Sequence, residues 1–598
     1  MPAKSPIDIS DPTLRFSIEV NGSQMKDSYP VLSMNIFHEI NKISYAEIIL
    51  TDGYPASDNF EISNSNDFIP GSTVDISAGY GYESLTKIFS GIVVSQALEL
   101  QSNGLPKLIV SCKNKAVCMT YNRKEEMFKD KPDSSIISSI FSQYGLPCTV
   151  DTTSVKNELV FQKLATDWDF ILARSEFCGF VVISDNEKIK IGKPDLSSQA
   201  VLKVVLGDSI LSFQAELSGE AQPTSIEATG WDIKNQALLK ATAKEPKLNS
   251  QGNLGAKTLS GKLSNSKLSL SSITPTPNDG LQSWADSTLL KLRLNALKGH
   301  VSFIGNGSVM PGSIIELGGV GNRFNGDAYV SALTHEIKDG GWTTTVKFGL
   351  ENKPVFEQSN FSYPPANGQL PAINGLQLGT VKNIFEDPDS QFRILVDIPS
   401  NATNQSGIWA RLSNFYATSG AGAFFIPEIG DEVVVGFLEN DPRYPIILGS
   451  LYSSAKKPET IVKDNNNYIK TLSSKSKILI SFDDEKKIIK ITTPGGNSVT
   501  LNDEAKSIVL QDQNNNKIKM GLDGITISSD KDINISATGK LSIKATSGLK
   551  LSSDQDIQLS GLNINNSANA GFTAKGNAQA ELSSSGSTTV KGSIVMIN

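Results

Sequence analysis

Histidine and cysteine are scarce in this chain, and their scarcity excludes several kinds of site. The three histidines, His38, His300 and His335, are far apart in 598 residues and form no HxH or HExxH pattern. The four cysteines fall between Cys112 and Cys178 without a CxxC pair, which is typical of buried reduced thiols. We therefore expect no metal site, no cofactor and no histidine-based catalysis.

Long apolar runs and basic clusters are also missing. No window approaches the ~18 uninterrupted apolar residues of a membrane-spanning helix, and the N-terminus lacks the apolar core of a signal peptide. The net charge is −7, and no run is rich in Lys or Arg, so nothing indicates a nucleic-acid partner. These absences predict a protein that is made in the cytoplasm and does not bind nucleic acid.

Aromatic residues almost disappear from the last third, where only Phe482 and Phe572 follow Tyr468. This composition suggests a disordered polar tail, but the aliphatic residues keep a strict register. Five doublets with i, i+2 spacing follow one another at intervals of eight residues: Ile525 and Ile527, Ile533 and Ile535, Leu541 and Ile543, Leu549 and Leu551, and Ile557 and Leu559. Similar doublets precede them, from Ile478 and Ile480 to Ile518 and Met520, at steps of 9–11 residues.

The doublets predict a repetitive β structure with a very thin core. Spacing of i, i+2 places both aliphatic residues on one face of a strand, and a fixed period is typical of solenoid-like repeats. Two inward residues per octad leave a single chain with half-paired strands and open edges. Intertwining identical chains would bring the ten doublet residues onto one axis, so we predict a cyclic homo-oligomer with these residues as its core.

The first two thirds of the chain predict further β structure. Alternating apolar residues in 1–125 are typical of an antiparallel β-barrel or sandwich, and strands resume in 201–361. Between them, 126–200 predicts a small α+β insertion. Capped apolar patterns predict helices at 133–146, 166–180 and 283–300, and a Ser/Lys/Gly/Asn-rich stretch predicts a surface loop at 245–275.

A linker at 362–375 precedes a compact unit at 376–455, in which five short strands with Gly and Pro corners fit an OB-type barrel. Its acidic segment EIGDEVVVGFLENDP disfavours nucleic-acid binding. A connector at 456–475 leads to the repetitive segment, 476–598, which we call the needle.

The sequence resembles the VgrG-type spike proteins of type VI secretion and related contractile injection systems. The barrel motifs GIWARLS (407–413) and IPEIGDEVVVGFLENDPRYPIILGSLYS (426–453) are similar to the OB-domain signature of that family. In the N-terminal part, TDWDFILARSEFCGFVV and RFNGDAYVSALTHEI are similar to its characteristic segments. The resemblance extends over essentially the whole chain.

This resemblance implies a fold and a set of partners. The expected fold is mainly β: a homotrimer with a hub of two β-barrel domains (1–125 and 201–361), an OB collar, and an intertwined triple-stranded β-helix as the needle. The hub is expected to seat on an inner-tube (Hcp-like) ring and baseplate proteins. A PAAR-type tip protein is expected to dock on Val595, Met596, Ile597 and Asn598, with effectors as further cargo. The spike would puncture target membranes, after assembly in a bacterial cell and ejection.

Two alternatives remain open at this point. One is the spike of an extracellular, phage-tail-like injection particle instead of a type VI system. The other is an envelope-degrading enzyme, but the segment 452–477, where the phage spike carries a lysozyme domain, is too short for an enzyme. Glu428, Asp431 and Glu432 lie at barrel turns without an acid/base arrangement, and the glycine-rich 318–326 lacks the Lys-Ser/Thr of a phosphate loop. We therefore expect no catalytic activity.

Overall fold

The computed structural model describes residues 3–9, 11–54, 59–82, 84–102, 104–186, 188–232, 235–263, 266–272, 276–351, 353–357, 365–399 and 407–597. Its contacts divide the chain into two compact units, Met1–Ser450 and Leu451–Asn598. The regular structure described in both units is mainly β-strand, as the sequence predicts.

The first β region forms antiparallel strands with alternating burial. Inward side chains such as Met34, Ile36, Ile48, Val74 and Ile76 are fully buried in one apolar core, because successive residues of a strand face opposite sides of the sheet. The strands are β1 (Leu14–Val20), β2 (Ser23–Gln24), β3 (Val31–Glu39), β4 (Tyr45–Thr51), β5 (Thr73–Tyr80), β6 (Thr86–Glu99) and β7 (Lys107–Lys113).

The predicted α+β insertion has its own core, which includes Ile136, Phe141, Trp168 and Ile171. Two of the three predicted helices lie here and are confirmed. The elements are β8 (Arg123–Pro132), α1 (Asp133–Gln143), β9 (Cys148–Val150), β10 (Lys156–Thr166), α2 (Asp167–Cys178), β11 (Val181–Ser184) and β12 (Ile189–Gly192).

Local capping explains why helix α2 begins and ends where the sequence predicts. The Thr166 hydroxyl accepts a hydrogen bond from the Asp169 backbone N–H at 3.1 Å, which satisfies one of the free N–H groups of the first turn. Gly179 follows the helix with φ of 72°, a left-handed conformation that glycine adopts without steric cost. Both signals lie within the helix sequence itself.

The second β region joins the first in one 13-stranded sheet, because β20 pairs antiparallel with β3. It nevertheless has a separate core that includes Val301, Phe303, Ala328 and Phe348. The elements are β13 (Leu202–Val205), β14 (Ile210–Leu217), β15 (Ile226–Asp232), β16 (Ala237–Thr242), α3 (Ala256–Lys262), β17 (Leu268–Ser271), α4 (Asn278–Leu294), β18 (Leu297–Ile304), β19 (Ile314–Gly318), β20 (Gly326–Lys338) and β21 (Gly341–Phe348).

Two local predictions in this region are wrong. The third helix ends at Leu294 instead of 300, since the residues after it form β18, which pairs with both β14 and β21. The predicted loop at 245–275 contains helix α3 and strand β17, and β17 pairs in parallel with the distant β15. In both cases strand pairing across the fold overrides the local pattern.

A buried ion pair ties the end of α4 to the preceding chain. The side chain of Arg293 is fully buried and donates two hydrogen bonds to Glu245, at 2.7 and 3.1 Å. It also donates to the Gln222 side chain and to the Pro223 carbonyl, both at 3.1 Å. A buried guanidinium is tolerated here because its donors have acceptors.

The barrel that follows is closed, in the order β22-β23-β24-β28-β27, and this confirms the predicted OB-type unit. Its interior is filled by buried side chains that include Val381, Val396, Ala410, Val433 and Val435. The strands are β22 (Gln377–Asn383), β23 (Arg393–Asp397), β24 (Ile408–Leu412), β25 (Ala417–Thr418), β26 (Ala421–Gly422), β27 (Glu432–Phe437) and β28 (Pro445–Ser450). Residues 362–364 of the predicted linker lie outside the described residues.

The second unit contains a seven-stranded antiparallel meander and a repetitive tail. The meander runs in chain order: β29 (Ile469–Ser473), β30 (Leu479–Asp483), β31 (Ile488–Thr492), β32 (Ser498–Asn502), β33 (Ser507–Gln511), β34 (Lys517–Gly521) and β35 (Gly524–Ser528). Within the described residues that follow, 529–597, the structure assigns no strand or helix. We call 529–597 the octad segment.

Candidate assembly surface

The apolar doublets of the meander align into two continuous rows on one face of its sheet. Cross-strand pairing places Ile480 opposite Ile491, and the same register repeats from β30 to β35. We call these rows the apolar ladders. The first consists of Ile480, Ile491, Val499, Leu510, Ile518 and Ile527, and the second of Phe482, Ile489, Leu501, Ile508, Met520 and Ile525.

The ladders are uncovered in the single chain. Ile491 is 40% exposed and Leu510 is 39% exposed, which is high for aliphatic side chains in the middle of a sheet. Five of the six residues of the first ladder, from Ile491 to Ile527, line an open groove of about 530 Å³ together with Ile533 of the octad segment. An apolar face of this length is typical of an interaction surface.

The octad segment carries the same pattern, and the structure assigns it to no strand. Its predicted core residues are more than half exposed, from 52% for Ile533 to 68% for Ile535. Among the described residues 530–597, no backbone N–H donates to a backbone carbonyl. Extended chain with unpaired backbone groups and an apolar edge favours pairing with another chain.

The predicted needle core is therefore not a core within one chain. Eight of its ten residues lie in the octad segment and are all exposed there: Ile533, Ile535, Leu541, Ile543, Leu549, Leu551, Ile557 and Leu559. In the last two doublets Leu551 is 65% exposed and Leu559 is 66% exposed. A single chain thus leaves these residues in solvent, and their meeting on one axis of an oligomer stays a prediction.

The doublet spacing changes where pairing inside the chain ends. Steps of 9–11 residues from Ile478 to Ile518 correspond to strands joined by hairpins, whereas the strict octad begins with β35, the last strand of the meander. The other two residues of the predicted core, Ile525 and Ile527, therefore lie in the meander, opposite Met520 and Ile518.

The residues of the predicted tip surface that the structure describes are apolar and at least half exposed. Val595 is 49% exposed, Met596 is 83% exposed and Ile597 is 90% exposed. Asn598 lies outside the described residues. Docking of a second protein on these residues stays a prediction.

A second apolar surface, which the sequence analysis missed, lies on the OB barrel. Phe415, Phe424 and Phe425 flank the hairpin of β25 and β26 and are 89%, 76% and 71% exposed. A signal for it is present in the sequence, since residues 412–427 contain no charged side chain. Aromatic residues this exposed are typical of protein interfaces.

The described residues contain no group of three or more His, Cys, Asp or Glu able to hold a metal ion. Burial lowers the pKa of His335 to about 3, so this imidazole stays neutral. Burial also raises the pKa of the Cys112 and Cys178 thiols to about 12, which disfavours the reactive thiolate. Among the described helices, none is long and apolar enough to cross a membrane.

Two family models match the chain. The model described as the Alg8 N-terminal domain matches residues 10–339. The model described as the type VI secretion system/phage-baseplate injector OB domain matches residues 377–452, which contain the closed barrel.

Curated relatives match over a short stretch. The actin cross-linking toxin VgrG1 of Vibrio cholerae is 38% identical over 95 residues, which are 15% of this chain and 9% of that protein. The type VI secretion system spike protein VgrG4b of Pseudomonas aeruginosa is 31% identical over 102 residues, 16% of this chain and 13% of that protein. The chain thus spans only a small part of the relatives it matches, and the toxin activity in the first name is said of that protein.

Solved structures of low sequence identity also align. A prophage tail protein from Shewanella oneidensis aligns with a TM-score of 0.43 and 10% identity, over 56% of this chain and 98% of that one. An Escherichia coli component of the type VI secretion system aligns with a TM-score of 0.36 and 13% identity, over 73% of this chain and 99% of that one.

Proposed function

Because this chain belongs to the family of the Alg8 N-terminal domain, and its OB domain bears out the resemblance to VgrG-type spike proteins, we propose that it is the structural spike of a contractile injection system. Its needle is a homotrimer, in which three copies pair their octad segments and bring their apolar doublets together. The chain acts through its mechanical properties and not through catalysis.

The observation that carries this proposal is the uncovered apolar pattern of the second unit. Two ladders, each of six residues, run along one face of the meander, and the octad segment continues the doublets without backbone pairing inside the chain. Identical chains arranged around an axis cover such a face with equivalent faces, since each copy presents the same surface. The number three comes from the family resemblance.

The proposed mechanism depends on stiffness. Hydrogen bonds between chains along the needle and a dry axial core allow a thin rod to carry axial load. A contracting sheath would drive this rod into the target membrane. The hub would seat on an inner-tube (Hcp-like) ring and baseplate proteins at the other end.

The chain end supplies the proposed docking surface for a tip protein. Val595, Met596 and Ile597 are half to nine-tenths exposed, and three copies of this apolar end would form one platform. A PAAR-type protein that covers the platform would sharpen the needle and carry effectors. Replacing Met596 and Ile597 with serine should abolish co-purification with such a tip protein and leave the trimer intact.

The mass in solution tests the proposal directly. Light scattering of the purified full chain should give about 193 kDa, three times the 64.2 kDa of one chain. A monomer at micromolar concentration would refute the spike. A peptidoglycan-hydrolysis assay on the same sample distinguishes the enzymatic alternative, and we expect no activity.

The setting of the spike is decided by its gene neighbourhood. Genes for a membrane-anchored complex nearby would indicate a type VI secretion system. Their absence, together with sheath and tube genes, would indicate an extracellular particle or phage-like tail.

A further inference from the structure

One outward position of the needle carries an ordered pattern of charge. In each octad the residue before the first aliphatic residue of the doublet faces outward, because it is one residue from an inward position. From β35 onward this position holds Gly524, Asp532, Lys540, Gly548 and Asp556. A negative and a positive side chain therefore stand one octad apart.

The geometry of three intertwined chains brings these two charges together. This step rests on the proposed function. In a three-fold rod of intertwined chains, successive octads of one chain lie on successive faces. On any one face, the strand formed by one octad therefore lies beside the strand formed by the following octad of the neighbouring chain. Strands in a sheet are about 4.8 Å apart, so side chains at the same octad position become direct cross-strand neighbours.

Both groups are available for such a pair in the single chain. Asp532 and Lys540 are exposed, and within the described residues neither makes an ion pair. The ion pairs described after residue 451 join other residues, Lys470 to Asp484 and Lys477 to Glu459. We propose that Asp532 of each copy pairs with Lys540 of the neighbouring copy, three times around the axis, and that this pair opposes the one-octad slip that would bring like charges together.

The inward residues alone specify the register weakly. All five doublets are aliphatic and repeat every eight residues, so a slip of one octad still places aliphatic against aliphatic. A slip by one octad in one direction would place Asp532 beside Gly548 and Lys540 beside Asp556, which exchanges one ion pair for another. A slip in the other direction would place Asp532 beside Asp532 and Lys540 beside Lys540, so the charges oppose that slip.

The other outward positions do not oppose this alignment. Each holds one charged side chain in five octads, so like charges do not meet there in the proposed alignment. The middle position holds Thr526, Asn534, Ser542, Lys550 and Gln558, and the position after the doublet holds Ser528, Ser536, Lys544, Ser552 and Ser560.

Charge reversal in the full chain tests the pair. The variants are Asp532→Lys, Lys540→Asp and the double exchange, with Asp556→Lys as the matched control, whose neighbours one octad away are Gly548 and Ile564. The measurement is the temperature at which the trimer dissociates in SDS. Each single reversal places like charges side by side and should lower this temperature by several degrees. The double exchange should restore most of the loss, and the control should stay near the wild type.

Zero-length carbodiimide coupling tests whether the pair joins different copies. The reagent links a carboxylate to a neighbouring amine, so the wild type should give covalent trimers that survive boiling, and Lys540→Gln should reduce their yield. The pairing would be overturned, with the trimer still in place, by either of two results. In the first, the double exchange lowers the dissociation temperature by as much as the two single reversals together. In the second, Lys540→Gln leaves the yield of covalent trimer unchanged. A monomeric wild type would instead overturn the proposed function, and the pair with it.

Discussion

Replacing Ile543 with aspartate should abolish the needle while leaving the isolated chain almost unaffected. The side chain is 64% exposed in the single chain, so its loss removes little packing there. In the proposed trimer three copies of this residue meet on the axis. The variant therefore separates the stability of the assembly from the stability of the fold.

The magnitude follows from the exposed fraction. Complete burial of an isoleucine side chain contributes about 1.5–3 kcal/mol, and 64% of this residue is still exposed. Covering it on assembly would then contribute about 1–2 kcal/mol per chain, or about 3–6 kcal/mol per trimer. Three carboxylates on a dry axis add a desolvation cost of several kcal/mol each. We expect a total loss above about 10 kcal/mol per trimer, which prevents assembly.

The assay compares this variant with Ser542→Asp, which adds the same charge one residue away on the outward face. Unboiled samples on SDS gels and light scattering should show a trimer for Ser542→Asp and a monomer for Ile543→Asp. An SDS-resistant trimer of Ile543→Asp would refute the inward assignment. Loss of both trimers would show that the two faces are not distinct.

Three further predictions concern the first unit and are measured as free energies of unfolding in urea. Arg293→Met should cost about 3–5 kcal/mol, because Glu245 is left without its buried partner, whereas Lys298→Met, at an exposed pair with Glu216, should cost at most about 1 kcal/mol. Burial holds the pKa of His335 at about 3. As the pH falls below about 6.5, only the unfolded chain binds this proton, so the free energy of unfolding should decrease by up to about 1.4 kcal/mol per pH unit. The variant His335→Gln should reduce that slope. An unchanged slope would contradict the assignment. Thr166→Ala should cost about 1 kcal/mol through the lost cap of α2, with Ser135→Ala as its control; equal effects would exclude a capping role.

Elements whose signals are local were predictable from the sequence. Helix α2 carries its cap and its stop next to its own sequence, at Thr166 and Gly179, and the structure confirms the helix predicted at 166–180. The end of α4 was not predictable, because Lys298 and His300 are polar enough to continue a helical pattern. They form a strand since partners from two distant segments pair on either side.

The assembly surface was predictable in composition but not in pairing. The doublets identify which residues share a face, and the ladders confirm this from Ile489 and Ile491 to Ile525 and Ile527. In β30 the two inward residues are Ile480 and Phe482 instead of the predicted Ile478 and Ile480. The sequence did not show that this part forms hairpins within one chain, because doublet spacing alone does not distinguish a partner strand of the same chain from one of a second copy. The exposed OB hairpin has no apolar periodicity that would predict it, because its signal in the sequence is an absence of charge.

The lack of backbone pairing inside the octad segment also has a genetic consequence. Because each octad segment pairs only with neighbouring copies in the proposed trimer, a defect in one chain disrupts the pairing of all three. If a cell makes equal amounts of the wild type and of Ile543→Asp, random mixing leaves only about one trimer in eight free of the variant. Mutations in the octad segment should therefore be dominant, whereas mutations that unfold the first unit before assembly should be recessive.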